Sequence, residues 1–175
     1  MSAPLMFREA TSADIPAIVA LVQSAYRGDA SREGWTTEAD LLDGQRTDAE
    51  DVGECIARDR SIVLLAEAQD LVLACAHVAE EDNAGYFGMF SVNPGLQRGG
   101  VGSSLLVEAE RRVRDLWQLT EMRMTVIDVR AELIAFYERR GYVRTGILKP
   151  FPYGDVRFGI PKREDLRFEV LAKKL

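Results

Sequence analysis

The chain has 175 residues, enough for one domain (1–175) with a sizeable core, and its composition is that of an ordinary globular protein. A net charge of -6 argues against a nucleic-acid partner, the apolar runs fall far short of a membrane span, and a single histidine, His77, removes most histidine-based metal and triad schemes. Cys55 and Cys75 show no metal-ligand spacing and read as reduced thiols, and Met1 to Arg8 shows no basic start or apolar run of a secretory signal, so the expectation is a cytoplasmic protein without a metal.

Leu5 to Glu9 is a short strand candidate. Asp14 can cap a helix over Ile15 to Tyr26, with Ile15, Ile18, Val19, Val22 and Tyr26 on one face. Residues 28 to 36 read as loop; Thr37 can cap a second helix holding Leu41 and Leu42, and a third short helix covers Ala49 to Arg58. Residues 29 to 59 hold ten acids against Arg32, Arg46 and Arg58, either a solvated face or a lure for a cationic substrate. Ser61 to Ala68 and Leu71 to Ala79 are strands joined by a tight turn at Gln69-Asp70, and Gly85 to Val92 is another, stopped before Pro94. Ser103 to Trp117 is an amphipathic helix with Leu106, Ala109, Val113 and Leu116 inside; Glu108–Arg112 and Glu110–Arg114 fall at i,i+4 outside. Met122 to Val129 is a strand, Ala131 to Arg140 a helix stopped by Gly141, and Tyr142 to Leu148 and Leu166 to Ala172 the last strands. Pro150 to Pro161 reads as an ordered loop. The order predicts an α/β sheet of about six to seven strands flanked by helices.

The turn Gln97-Arg98-Gly99-Gly100-Val101-Gly102-Ser103-Ser104, between a strand and a helix, has the makings of an anion site. The first amides of a helix lack internal partners, the helix dipole is positive there, and glycines let the main chain approach a ligand closely. A triphosphate-binding loop needs a Lys after the last glycine, and none follows Gly102; a dinucleotide fingerprint needs a third glycine where Leu105 stands.

In this order the residues resemble the GNAT superfamily of N-acetyltransferases. Gln97 to Gly102 resembles its Q/R-x-x-G-x-G/A signature, preceded by Val92-Asn93-Pro94, and Ala135-Phe136-Tyr137-Glu138-Arg139-Arg140-Gly141-Tyr142 is similar to its later Tyr-Glu-x-x-Gly-Phe block. The resemblance implies the GNAT fold, a mixed central sheet, and acetyl-CoA as co-substrate. It implies that Arg98, Gly99, Gly100, Val101, Gly102 and Ser103 hold the pyrophosphate. It implies that Phe90, Ser91 and Val92 meet the pantetheine arm, one backbone N–H polarising the thioester carbonyl. Tyr137 is then general acid for, or hydrogen-bond partner of, the CoA sulfur. Arg130 stands where many members carry an Asn that meets the pantetheine; it can approach CoA or face solvent. No base stands out: Tyr86 occupies about the place of the Glu some members use, and Glu80, Glu81, His77 and Glu38 are alternatives, with His77 reading as partly buried and neutral and Glu80 and Glu81 as exposed loop acids.

By the same resemblance the acceptor site falls on Tyr26 to Arg46 and Pro150 to Pro161, offering Tyr26, Arg27, Trp35 and Glu38, then Phe151, Tyr153 and Arg157. Acids suit an amine and Arg27 and Arg157 a carboxylate, so a small-molecule or peptide amine, such as an amino acid, is the expected partner. Neither cysteine sits where a nucleophile would stand, which favours direct transfer in a ternary complex. A non-catalytic acyl-CoA sensor and a transferase of another acyl group remain open. A homodimer is compatible with the family.

Overall fold

The computed structural model describes residues 3–27, 31–32, 37–96, 99–155 and 159–175. Strand β1 (Met6–Glu9) leads through a short 3-10 turn into helix α1 (Ile15–Tyr26), followed by the two-residue strand β2 (Leu42–Asp43) and helix α2 (Ala49–Ala57). The meander β3 (Ser61–Ala68), β4 (Leu71–Glu81) and β5 (Ala84–Val92) feeds helix α3 (Val101–Trp117). Strand β6 (Glu121–Ile127), helix α4 (Ala131–Glu138) and strands β7 (Val143–Pro150), β8 (Ile160–Pro161) and β9 (Arg167–Lys174) complete the chain. Seven strands form one sheet in the order β1-β3-β4-β5-β6-β9-β7, antiparallel except for β5 beside β6. The expected mixed sheet with flanking helices is therefore present.

Alternation along the strands builds two cores, because successive side chains point to opposite faces. Leu64 and Ala66 of β3 and Ala74, Ala76 and Val78 of β4 face Leu105, Leu106, Ala109 and Val113 of α3 and Leu133, Ile134 and Phe136 of α4. Val63, Leu65 and Cys75 face the opposite way, onto Ile18, Leu21, Val22 and Ala25 of α1 and Val52 of α2. The hairpin turns match their sequences: Gln69-Asp70 and Asp82-Asn83 all take positive φ, as tight two-residue turns between twisted strands require.

Four local readings are corrected. No helix follows Thr37. A single turn, with Leu41 and Leu42 N–H on the Glu38 carbonyl, leads straight into β2, which pairs with β8 as Leu42↔Pro161 and Asp43↔Ile160. That pairing, with a partner far along the chain, claims the segment, and it also gives the Pro150 to Pro161 loop a strand end. Leu116 is 45% exposed, because the buried stripe of α3 runs through Leu105 as well as Leu106, Ala109 and Val113. Glu110 does not face solvent: it accepts from the Tyr142 hydroxyl and from Lys173 Nζ, each at 3.0 Å, and ties α3 to the β9 side of the sheet. Glu80 and Glu81 end strand β4 rather than lying in a loop; Glu80 pairs with Arg60 and Glu81 with Arg58.

Gly85 marks the junction of β5, β6 and α3. A Cβ there would lie 2.7 and 2.9 Å from the Val113 methyls and 3.0 Å from the Met122 sulfur. Gly85→Ala is expected to destabilise the fold by about 1–3 kcal/mol through overpacking, read as a lower urea midpoint.

Candidate active site

Strands β5 and β6 touch only at their beginnings, Gly85↔Met122 and Tyr86↔Arg123, and then part. Phe87 to Phe90 on one side and Met124 to Ile127 on the other line a cavity of about 660 Å³ that reaches both faces of the sheet. The divergence has a local cause. Between His77↔Gly88 and Cys75↔Ser91, two residues of β5, Met89 and Phe90, oppose Ala76 alone, and Met89 has φ 50°. Such a bulge bends the strand that carries it. Below the bulge Asn93 N–H donates to the Leu73 carbonyl. By the alternation of an antiparallel ladder, Ser91 faces Cys75 in the same hydrogen-bonded way and the Val92 backbone groups turn toward the opening. The Phe90 carbonyl accepts from the Tyr26 hydroxyl, and Ser91 Oγ donates to the Met89 carbonyl at 3.2 Å.

The glycine turn follows the end of β5 and packs against it at Phe90 and Val92. Gln97 and Arg98 lie outside the described residues. Gly99 N–H donates to the Leu96 carbonyl at 3.0 Å. Gly100 is the N-cap of α3 with φ 80°, a conformation that glycine adopts without strain. Ser104 makes the first helical bond, to the Gly100 carbonyl, so among the described residues the amides of Val101, Gly102 and Ser103 are unspent. A Cβ on Gly102 would sit 2.8 Å from the Phe90 ring and 3.2 Å from Val92, so glycine here lets the helix start press against β5. Arg140 is a residue that sequence reasoning missed. Its Nε and Nη2 reach Ser103 Oγ at 3.0 and 2.5 Å, and its guanidinium stacks 3.6 Å over the Phe136 ring. The only signal was its place three residues after Tyr137.

Tyr137, on α4, is 4% exposed and packs among Phe87, Phe90, Phe136 and Tyr142. Among the described residues its hydroxyl has no hydrogen-bond partner, and the residue lines the cavity. Burial holds the phenol well above its usual value of 10, with Tyr26 adding and Arg130 and Arg140 opposing, so it is protonated at any ordinary pH.

One end of the cavity is polar. Glu38 is buried between two guanidiniums, Arg27 at 2.6 Å and Arg130 at 3.1 Å. Arg130 is the N-cap residue of α4, and its guanidinium is directed at Glu38 and over the Tyr26 ring. Burial raises the Glu38 carboxyl, but Arg130, Arg27 and Arg46 outweigh it and the net shift is downward, which makes Glu38 a poor proton acceptor. His77 meets Ser61 Oγ through Nε2 at 2.7 Å; that hydroxyl is spent on the Cys55 carbonyl, so Nε2 is the donor. Burial lowers the imidazole pKa to about 4, and the ring is neutral at pH 7. Tyr86 sits edge-on to His77 and lines the cavity. Cys55 also lines it, but burial raises its thiol to about 11 and that of Cys75 to about 12, too high for a thiolate nucleophile at neutral pH. Phe151 faces the cavity, whereas the Tyr153 hydroxyl donates to the Arg163 carbonyl; Trp35 and Arg157 lie outside the described residues. No group of His, Cys, Asp or Glu among the described residues could hold a metal ion, and no described helix is long and apolar enough to cross a membrane.

Residues 59–144, which include β5, β6 and α4 of the cavity wall, match the sequence profile described as "Acetyltransferase (GNAT) domain". No curated protein sequence matches the chain. Among solved structures, a ribosomal-protein-alanine N-acetyltransferase from Brucella melitensis is similar with a TM-score of 0.73 at 22% identity, over 97% of this chain and 99% of that one. The ribosomal-protein-S18-alanine N-acetyltransferase from Escherichia coli is similar with a TM-score of 0.67 at 16% identity, over 98% and 94%. A protein described as a streptothricin acetyltransferase from Bacillus anthracis str. Ames, solved in complex with acetyl coenzyme A, is similar with a TM-score of 0.58 at 16% identity, over 71% and 68%. At these identities the likeness is one of fold.

Proposed function

We infer the reaction from what the chain is, an acetyltransferase carrying a GNAT domain, and propose that it acetylates a primary amine of a small molecule or peptide by direct attack in a ternary complex. The observation that carries this reading is the opening between β5 and β6, with unspent amides after the end of β5, a free buried phenol in its wall and a polar chamber at one end. Acetyl-CoA supplies an activated thioester carbonyl.

The residues fit that co-substrate. The amides of Val101, Gly102 and Ser103, with Gly99 and Gly100 giving close access, suit the pyrophosphate at the α3 N-terminus. Arg140 holds Ser103 in place and adds positive charge there; Arg98 is proposed as a second cation. The backbone of Phe90, Ser91 and Val92 is the edge offered to the pantetheine. Arg130 acts through Glu38 and Tyr26 rather than at the glycine turn.

The amine nitrogen bonds to the carbonyl carbon, the carbon–sulfur bond breaks, and the Tyr137 hydroxyl donates to the departing sulfur. The proton of the amine leaves through water, since Glu38 is held ionised and His77 is a weak base. Freeing an amine of Lys-like pKa at pH 7 costs about 4–5 kcal/mol, so the rate should rise with pH as the amine deprotonates. Two neutral thiols, each raised by burial, speak against an acyl-enzyme.

An amine-library screen that reads CoA release tests this function, and no turnover with any amine would count against it in favour of an acyl-CoA sensor. Competition among acyl-CoAs separates acetyl from other acyl transfer. Arg140→Ala is expected to weaken CoA binding about tenfold or more, by loss of a charged contact, as measured by calorimetry.

A further inference from the structure

Arg46 is a positive charge that the fold places in the chamber. It lies between β2 and α2, its main-chain N–H donates to Gln23 Oε1 at 3.0 Å, and its guanidinium lies 5.4 Å from the centre of the Tyr26 ring. The side chain is half-buried and lines the cavity. Among the described residues that guanidinium makes no hydrogen bond and no ion pair. The acids whose fields reach it are committed elsewhere. Glu38 gives Oε2 to Arg27 and Oε1 to Arg130, and Asp51 accepts from Thr47 Oγ1 at 2.7 Å. The Arg46 donors are open to the cavity, and a planar anion there can engage them through two parallel hydrogen bonds.

Resting on the acetyltransferase reading, we propose that Arg46 binds the carboxylate of the acceptor, so that the acceptor is an amino acid or a similarly small amine carrying a carboxylate. Two features narrow the chemistry. The Tyr26 ring that Arg46 covers donates its hydroxyl to the Phe90 carbonyl, so the cation stands one aromatic ring from the strand that faces the thioester. A small molecule that carries both an anion and an amine suits that proximity. Asp51, Glu54 and Glu81 line the chamber together with Arg58 and Lys149, so the lining carries both signs and suits a zwitterion better than a dianion such as a phosphate.

The test uses matched pairs, tyrosine with tyramine, tryptophan with tryptamine and lysine with cadaverine, with acetyl-CoA as donor and CoA release as readout. The wild-type protein is expected to favour the carboxylate-bearing member at least tenfold in kcat/KM. Arg46→Ala is expected to raise KM for that member about 10- to 100-fold and to collapse the preference, with Kd for CoA unchanged by calorimetry; Arg46→Lys keeps part of it. Binding of N-acetyl amino acids, read by calorimetry without turnover, should fall in parallel. Equal use of both members by the wild type, an equal loss on both in Arg46→Ala, or N-acetyl amino acids that bind neither protein or both alike would overturn the proposal. So would an Arg46→Ala defect seen with succinyl-CoA and not with acetyl-CoA, which would place the carboxylate on the acyl group. Failure of the acetyltransferase reading is distinct: no CoA binding and no release with any amine, whatever residue 46 is.

Discussion

Tyr137→Phe is expected to lower kcat by about 10²- to 10⁴-fold, the usual contribution of a positioned acid, with KM for acetyl-CoA changed only a few-fold. The phenyl ring keeps the contacts with Phe87, Phe90, Phe136 and Tyr142, so thermal stability should stay close to wild type and the loss reports on the hydroxyl. The hydroxyl has no hydrogen-bond partner among the described residues, so its removal strands no buried donor or acceptor. A pH profile adds a second check. Burial holds the Tyr137 phenol well above 10, so the donor stays protonated and the profile should show only the rise from amine deprotonation, with no fall before pH 10. An unchanged kcat in Tyr137→Phe would remove the acid role.

Glu38→Gln is expected to cost about 3 kcal/mol or more, because it removes the buried carboxylate that the side chains of Arg27 and Arg130, 1% and 8% exposed, both engage. In a protein of this size that is a fall in Tm of about 6–12 °C by calorimetry. The sign of the pH dependence follows from the lowered carboxyl. A group with a depressed folded-state pKa stabilises fully above its unfolded value, near 4.3 for Glu, and loses that contribution as pH falls toward the folded value. The gap in stability between wild type and Glu38→Gln should therefore be constant above about pH 5 and close progressively below about pH 4.3. A gap that persists to low pH would show that packing, not charge, sets the effect. The same substitution removes the carboxylate that Arg130 engages beside the chamber, so activity is expected to fall with stability.

What the sequence by itself determined is local and periodic. Glycines at 99, 100 and 102 before an amphipathic run announce a helix that starts from a glycine turn, and Gly100 does adopt the positive φ that glycine permits. Alternation in β3 to β5 and the 3.6-residue stripe of α3 specify elements that form as read, because each buries its apolar face against a neighbour of the same period. The Tyr137 block was legible through its resemblance to a family block, since the face that Leu133, Phe136 and Tyr137 share on α4 reads by itself as plain core. Where partners came from distant segments, sequence could not choose. Leu41 and Leu42 fit a helix as well as a strand until β8 supplies the pairing, and Glu110 sits at an outward i,i+4 position until Tyr142 and Lys173 close over it. Charge is the extreme case. Arg27, Glu38, Arg46 and Arg130 are spread across loops and a helix start, and nothing in their sequence positions shows that they converge. Only the convergence of β5, β6 and the early loops makes Glu38 a clamp between two guanidiniums and leaves Arg46 facing the chamber, because the energy of a buried charge depends on what stands within a few ångströms and not on its neighbours in sequence.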